Sequence, residues 1–330
     1  MATSKLDAIM SEEEFATFVD GLPRVKCREP INFCYQWDGY WYRIDFVKAA
    51  IAAQSGFLAR DDDVILASSM KTGTTWLKAL IPCIMALNRD NIDHEEDDPL
   101  LTNHPNQLIP SIELSIFNPK NLDSDALNVD EMPSPRLFRT HLPYSKLPES
   151  IKNDNSSCKL VYITREPKDV FVSLWHFMNS ISNAEPCPKM DEEFDSFCKG
   201  IHPFGPFHDH VLEYWNESLK KPEKILFLRY EEMKKDPKGQ VKKLAEFLGR
   251  PFANKEELDN VLWRCSLERL KNLQVNKNGL EPCLGIPKIA YFRNGLVGDG
   301  KNSLTKEMQE RLDKITREKF EGSGLDLQVI

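Results

Sequence analysis

The chain has 330 residues, 41% of them hydrophobic and 28% charged, an ordinary globular balance and long enough for a sizeable core. Its formal net charge of −8 argues against a general nucleic-acid binder, although an acidic total leaves room for a local anion site. The eight cysteines show neither CxxC nor zinc-site spacing, the start MATSKLDAIMSEEEF carries no secretory pattern, and the longest apolar run, Ala79–Leu87, is shorter than the roughly 20 residues a membrane span needs. A cytoplasmic protein with reduced thiols is the expectation.

Residues 1–30 read as a short helix with an extended lead-in. Trp37–Arg43 (WDGYWYR) sets aromatics around a turn signal and reads as a strand–turn element sealing the core edge. Val64–Ser68 (VILAS) has the continuous apolar character of a buried parallel strand. The loop Ser69–Gly73 follows, then a helix over Thr74–Leu87, where Pro82 should produce a kink. Glu95–Asp98 reads as a solvated acidic loop. Lys159–Thr164 is a second buried strand, and Pro167 suits the first turn of a helix reaching about residue 180. Lys224–Arg229 is a third strand. Helical patterns cover 238–249, 256–272 and 305–320. Strand–loop–helix units in series predict a single α/β domain, with a central parallel sheet flanked by helices and ligands beyond the carboxyl ends of its strands.

Four segments carry chemistry. Lys71-Thr72-Gly73-Thr74-Thr75-Trp76 lies between a strand and a helix. There, free backbone N–H groups and the helix dipole favour an anion, Gly73 permits close approach, Lys71 adds charge, three hydroxyls can donate and Trp76 offers a stacking face. The order differs from a Walker A loop, because Lys precedes Gly and no upstream glycine exists. The bland reading is a helix N-cap beside a lysine. Arg165 ends the second strand, and Ser173 lies about two helical turns on, so both could reach one phosphate. The alternative is an Arg165–Asp169 surface pair. In Arg139-Thr140-His141-Leu142-Pro143, a neutral His141 could take a proton from a hydroxyl, or could be structural. Tyr291-Phe292-Arg293-Asn294-Gly295 with Gly298-Asp299-Gly300 is either an anion clamp or a flexible surface loop. His208-Asp209-His210 is a poor metal site, since on a helix the two rings diverge; one of them is a candidate for an acceptor pocket.

Together these segments, in this order, resemble the cytosolic sulfotransferase family and its plant branch, with the motif-bearing core at about 63–325 of a single 1–330 unit. Val172–Phe177, Arg229–Met233 and Lys319–Leu325 add to the resemblance. It implies a P-loop-like nucleotide-binding architecture and the donor 3′-phosphoadenosine 5′-phosphosulfate (PAPS), leaving PAP as product. By resemblance, Lys71, Thr72, Gly73, Thr74, Thr75 and Trp76 hold the phosphosulfate. Arg165 and Ser173 meet the 3′-phosphate, and Tyr230 contacts the nucleotide. Arg293, Asn294 and Gly295 form the clamp, and His141 is the base for a small-molecule hydroxyl acceptor, phenolic, steroid or another plant-type metabolite. Lys71 would also stabilise the leaving group, no metal is implied, and the oligomeric state stays open. Met70, Asn294, Gly300 and Leu267 depart from the family's Pro, Lys, Trp and Phe, which predicts a weaker donor site. Loops 94–120 and 181–208 are expected to shape the acceptor pocket, with Phe117, Phe204 and Phe207 compatible with a flat acceptor. A non-catalytic descendant and a nucleotide-dependent kinase are the alternatives.

Overall fold

Two sheets organise the chain in the computed structural model, which describes residues 10–87, 98–118, 129–182 and 189–327. Near the start, β1 (Arg24–Lys26), β2 (Phe33–Trp37) and β3 (Tyr40–Tyr42) form an antiparallel sheet. The β2–β3 turn falls on Asp38-Gly39, both with positive φ (47° and 85°), as a two-residue hairpin of this hand requires. The WDGYWYR segment is thus a hairpin with Trp37 paired to Tyr40. The helix Glu12–Asp20 precedes it, with Ser11 and Glu14 forming a capping box.

The central sheet comprises β4 (Val64–Ser68), β5 (Leu137–Thr140), β6 (Lys159–Thr164) and β7 (Ile225–Arg229) in the order β5-β4-β6-β7. Every pairing is parallel. The α/β expectation holds, and the register aligns the carboxyl ends, with Ala67 opposite Thr140, Ser68 opposite Ile163 and Thr164 opposite Arg229. All five residues of β4 are buried, because helices cover both faces. On one face Ile65, Phe138, Leu160 and Tyr162 pack with Phe46, Ala50 and Tyr214 from the helices Ile44–Gly56 and Phe207–Lys220. On the other, Leu66, Val161 and Ile163 pack with Leu77, Val241 and Leu258 from Thr74–Met85, Pro237–Phe247 and Lys255–Arg264. A third cluster joins the helix Pro167–Ile181 to Met190–Cys198 and Lys306–Phe320.

Several details differ from the sequence expectations. β5 is an added strand: only Leu137 and Phe138 are apolar, and Arg139 and Thr140 break the buried-strand pattern. The helix after β4 accommodates Pro82 and ends at Met85, two residues short of the expected end. The helical pattern over 256–272 splits at Cys265-Ser266, where the Ser266 hydroxyl accepts from Arg269 N and starts a new helix, Leu267–Asn272. Of the acidic run Glu95–Asp98, only Asp98 is among the described residues. It is 2% exposed, caps a short 3₁₀ helix and pairs with Arg269 at 2.6 Å, so it is no part of a solvated loop. The described cysteines are all unbridged, with Cys34, Cys83, Cys158 and Cys265 buried and Cys27, Cys198 and Cys283 half-buried. Cys187 lies outside the described residues. Among those residues no helix is long and apolar enough to cross a membrane.

Candidate active site

A cavity of about 580 Å³ opens at the carboxyl edge of the central sheet. Its floor is the β4–helix turn. Lys71 sits in the left-handed region at φ 66°, an uncommon backbone state for a side chain of this length and one found at functional turns. Gly73 follows at φ 115°, and a Cβ there would stand 2.8 Å from Tyr230 Cδ2, so only glycine fits. Gly73 also caps the helix Thr74–Met85 without any side-chain hydrogen bond, which leaves first-turn N–H groups available to an anion. The Lys71 ammonium lies 3.9 Å from the centre of the Phe177 ring. Burial, then the charges of Arg293 and Arg165, lower its pKa to about 7. An anion beside it would restore the charged form.

Thr72 does not follow the sequence expectation of a donor hydroxyl. Its Oγ1 donates to the Ser69 carbonyl at 2.9 Å and braces the loop, and the residue is not among those lining the cavity. Thr74 shares a 2.7 Å hydrogen bond with the Ser68 hydroxyl, and Thr75 and Trp76 face the cavity.

Arg165 and Ser173 line the same cavity, as their spacing suggests. The Arg165–Asp169 pair forms at 2.8 Å, but it is buried, not superficial. Asp169 is a hub: besides Arg165, it accepts from Gly298 N at 2.9 Å and Gly300 N at 2.7 Å. Arg165 also donates to the Leu296 carbonyl and packs over the Tyr230 ring at 4.6 Å. The Tyr230 hydroxyl in turn donates to Gly295 O at 2.8 Å. The glycine-rich segment is therefore docked on the strand ends, not free on the surface. Gly295, at φ 61°, has Leu267 Cδ2 only 2.5 Å from where a Cβ would lie. Arg293 pairs with Asp299 at 2.5 Å, and both Arg165 and Arg293 retain a buried Nε–H without a partner. The positive charges of Arg165, Arg293 and Lys71 on one cavity, with the helix N-terminus, suit a multiply anionic nucleotide. Asn294 is exposed and is not among the lining residues. Gly300 packs so closely that a Cβ would stand 2.6 Å from Lys168 Cβ and 2.7 Å from its carbonyl carbon. At this position the Lys168 and Asp169 backbone leaves no room for a side chain.

His141 follows β5. Its Nδ1 lies 2.8 Å from the Ser68 carbonyl, which can only accept, so Nδ1 carries the proton and Nε2 holds the lone pair. Burial, then the charge of Arg139, lower its pKa to about 3, keeping the ring neutral. Its backbone N–H donates to Glu113 Oε1 at 2.7 Å, reached from the π-helical turn Ile112–Ile116, and its carbonyl accepts from His210 Nε2 at 3.0 Å. His210 Nδ1 bonds the Tyr162 hydroxyl, and His208 Nε2 bonds Thr316 Oγ1. Neither histidine lines the cavity, which corrects their candidacy for the acceptor pocket. All three phenylalanines are buried in the core clusters, but only Phe204 also lines the cavity, with its ring 5.6 Å from His141.

Sequence reasoning gave no role to Lys78 or Glu281 and no individual role to Asn106 (within loop 94–120), Arg139 or Tyr291 (within the quoted motifs), all of which line the cavity. The available signals were Lys78 inside an apolar helix and Arg139 within the His141 motif.

The sulfotransferase domain family matches residues 61–324. Cytosolic sulfotransferase 5 of Arabidopsis thaliana is 41% identical over 319 residues, covering 95% of this chain and 96% of that one. The structure of an Arabidopsis thaliana putative steroid sulphotransferase superposes with a TM-score of 0.74 at 32% identity, covering 97% of this chain and 98% of its own. Mouse sulfotransferase SULT7A1, complexed with PAP, gives 0.69 at 28% identity, covering 88% and 95%. A lysine-bearing strand–helix turn at the edge of a parallel sheet, in a chain similar to these proteins along nearly its whole length, leaves one conclusion: the chain belongs to the sulfotransferase family and is a PAPS-dependent sulfotransferase.

Proposed function

We propose that His141 and Lys71 carry sulfuryl transfer to the hydroxyl of a small phenolic, steroid or similar metabolite in the cytosol, with residues 1–330 acting as one catalytic unit. The observation that supports this most is the shared cavity of His141 and Lys71, with the Nδ1–H of His141 committed to Ser68 O. Bound there, PAPS supplies the sulfuryl group. The turn Lys71–Trp76 holds the phosphosulfate end, chiefly through backbone N–H groups and Thr75. Arg165 and Ser173 hold the 3′-phosphate. Tyr230, Trp76 and Leu267 flank the base, and Arg293 and Gly295 close over it. His141 Nε2 accepts the hydroxyl proton as the acceptor oxygen attacks. Lys71, charged once an anion lies beside it, stabilises the negative charge left on the nucleotide. Positioning and electrostatics do most of the work, as in phosphoryl transfer.

The test is incubation with ³⁵S-labelled PAPS and a panel of phenols, flavonols, steroids and hydroxy acids, with and without a chelator. Label moving to an acceptor with the chelator present is expected. PAP binding without transfer to any acceptor would favour the non-catalytic alternative, and transfer that stops on chelation would contradict the mechanism.

A further inference from the structure

His141 stands just past the end of β5, where the strand ladder no longer holds the backbone, yet the main chain there is fully tied. The His141 N–H donates to Glu113 Oε1 at 2.7 Å, and the Leu142 N–H donates to Thr140 Oγ1 at 3.0 Å. The His141 carbonyl accepts from His210 Nε2 at 3.0 Å, and the Leu142 carbonyl accepts from the Tyr214 hydroxyl at 2.8 Å. Successive main-chain groups around the base are thus met by side chains instead of by regular structure. His210 and Tyr214 lie one turn apart on the helix Phe207–Lys220, so they share a face and meet neighbouring carbonyls.

His210 is one link of a longer chain. Its carbonyl partner can only accept, so Nε2 carries the proton and Nδ1 takes the hydrogen of the Tyr162 hydroxyl at 2.9 Å. Burial lowers the pKa of His210 to about 4, which keeps the ring neutral. Tyr162 stands on β6 opposite Ala67. The next residue along β4, Ser68, accepts through its carbonyl from His141 Nδ1 at 2.8 Å, and Ser69 leads into the turn that carries Lys71. The chain therefore closes on itself, from that turn through His141, His210 and Tyr162 and back across the sheet. Tyr162 and His210 are fully buried, with their rings stacked 5.8 Å apart, and neither lines the cavity. Any effect they have on transfer must pass through His141.

We propose that His210, backed by Tyr162, is a positioning residue for the transfer: it fixes the His141–Leu142 peptide relative to the turn carrying Lys71 and so aims the lone pair of the base at the acceptor hydroxyl. This rests on the sulfuryl-transfer reading above. A buried polar chain with every link satisfied imposes one arrangement on its members, and a displacement of about 1 Å at a reacting group costs on the order of 10²-fold in rate. Phenylalanine at position 210 keeps a ring there and removes both bonds, whereas glutamine keeps a neutral N–H donor.

The experiment measures kcat, KM and PAP affinity with ³⁵S-PAPS and the fastest acceptor of the phenol, flavonol, steroid and hydroxy-acid panel. His210→Phe should lower kcat by roughly 10- to 100-fold, with KM and PAP affinity within about threefold of the native values. His210→Gln should recover most of that loss. Added to His141→Ala, His210→Phe should change the residual rate by less than about twofold, because a residue acting through the base has nothing left to act on. A native kcat in His210→Phe overturns the proposal. So does a loss of the same size in the His141→Ala background, or one that His210→Gln leaves unrelieved, as a general loosening of the fold would produce. If His210→Phe does not fold, Tyr162→Phe, which removes a single hydroxyl, carries the test. A kcat lowered about three- to tenfold at unchanged PAP affinity supports the proposal, and an unchanged kcat overturns it. A His141→Ala variant as fast as the native protein, or a native protein that moves no label, sinks the transfer reading itself, whereas a slow His141→Ala beside a His210→Phe of native rate sinks only this one.

Discussion

Lys71 should make nucleotide binding depend on pH. Burial and two neighbouring guanidinium groups bring its pKa from 10.5 to about 7, equivalent to about 5 kcal/mol against the charged form at the usual conversion. An anionic nucleotide reverses this locally, because an opposite charge favours the ammonium. The bound form therefore holds a proton that the free protein has lost above pH 7. Affinity should be highest near neutrality and fall by up to about tenfold per pH unit across roughly pH 7.5–9.5, where the ligand's phosphates, with second pKa values near 6, are already fully ionised. Calorimetric titration with PAP in buffers of different ionisation enthalpy should register uptake of close to one proton at pH 8.5. In Lys71→Arg, whose guanidinium stays charged, the slope and the uptake should both disappear. Affinity that is flat over this window in the native protein, with no proton uptake, would refute the reasoning.

The hub at Asp169 gives a second outcome. Asp169→Ala leaves a buried Arg165 charge and two clamp N–H groups unpaired, so thermal unfolding should show a loss of about 3–5 kcal/mol, accompanied by weaker PAP binding. Gly300→Trp should not strengthen the clamp, since even a Cβ would meet the Lys168 backbone; PAP affinity should fall, and a gain would show that the close approach is mistaken. Asn294→Lys changes an exposed residue and should alter PAP affinity by less than about threefold at physiological salt, as expected for a solvent-screened charge. A larger gain would support the sequence-based expectation that Asn294 weakens the donor site.

Legibility from sequence followed the physics of each element. β4 and β6 were plain because a strand covered on both faces must be apolar throughout. β5 was hidden because its second half is polar: Arg139 lines the cavity and the Thr140 hydroxyl accepts from Leu142 N. The turn Lys71–Gly73 was readable as an anion loop, since residue order alone announces glycine and lysine at a strand–helix junction. Which hydroxyls remain available was not, because Thr72 and Thr74 turn to local partners. Asp169 looked like half of a surface pair, and its role as the anchor of a segment about 130 residues away depends on tertiary packing that no local pattern encodes. The same holds for Glu113 and His210, which fix His141 by bonds to its backbone.

The most direct test of the central claim is the rate of label transfer from ³⁵S-PAPS by His141→Ala, with PAP affinity measured beside it. If the bare Nε2 of His141 is the base, kcat should fall by about 10²- to 10⁴-fold while PAP affinity stays within about threefold of the native value, as expected for a residue that touches only the acceptor side. Transfer at the native rate with PAP binding intact would contradict the account.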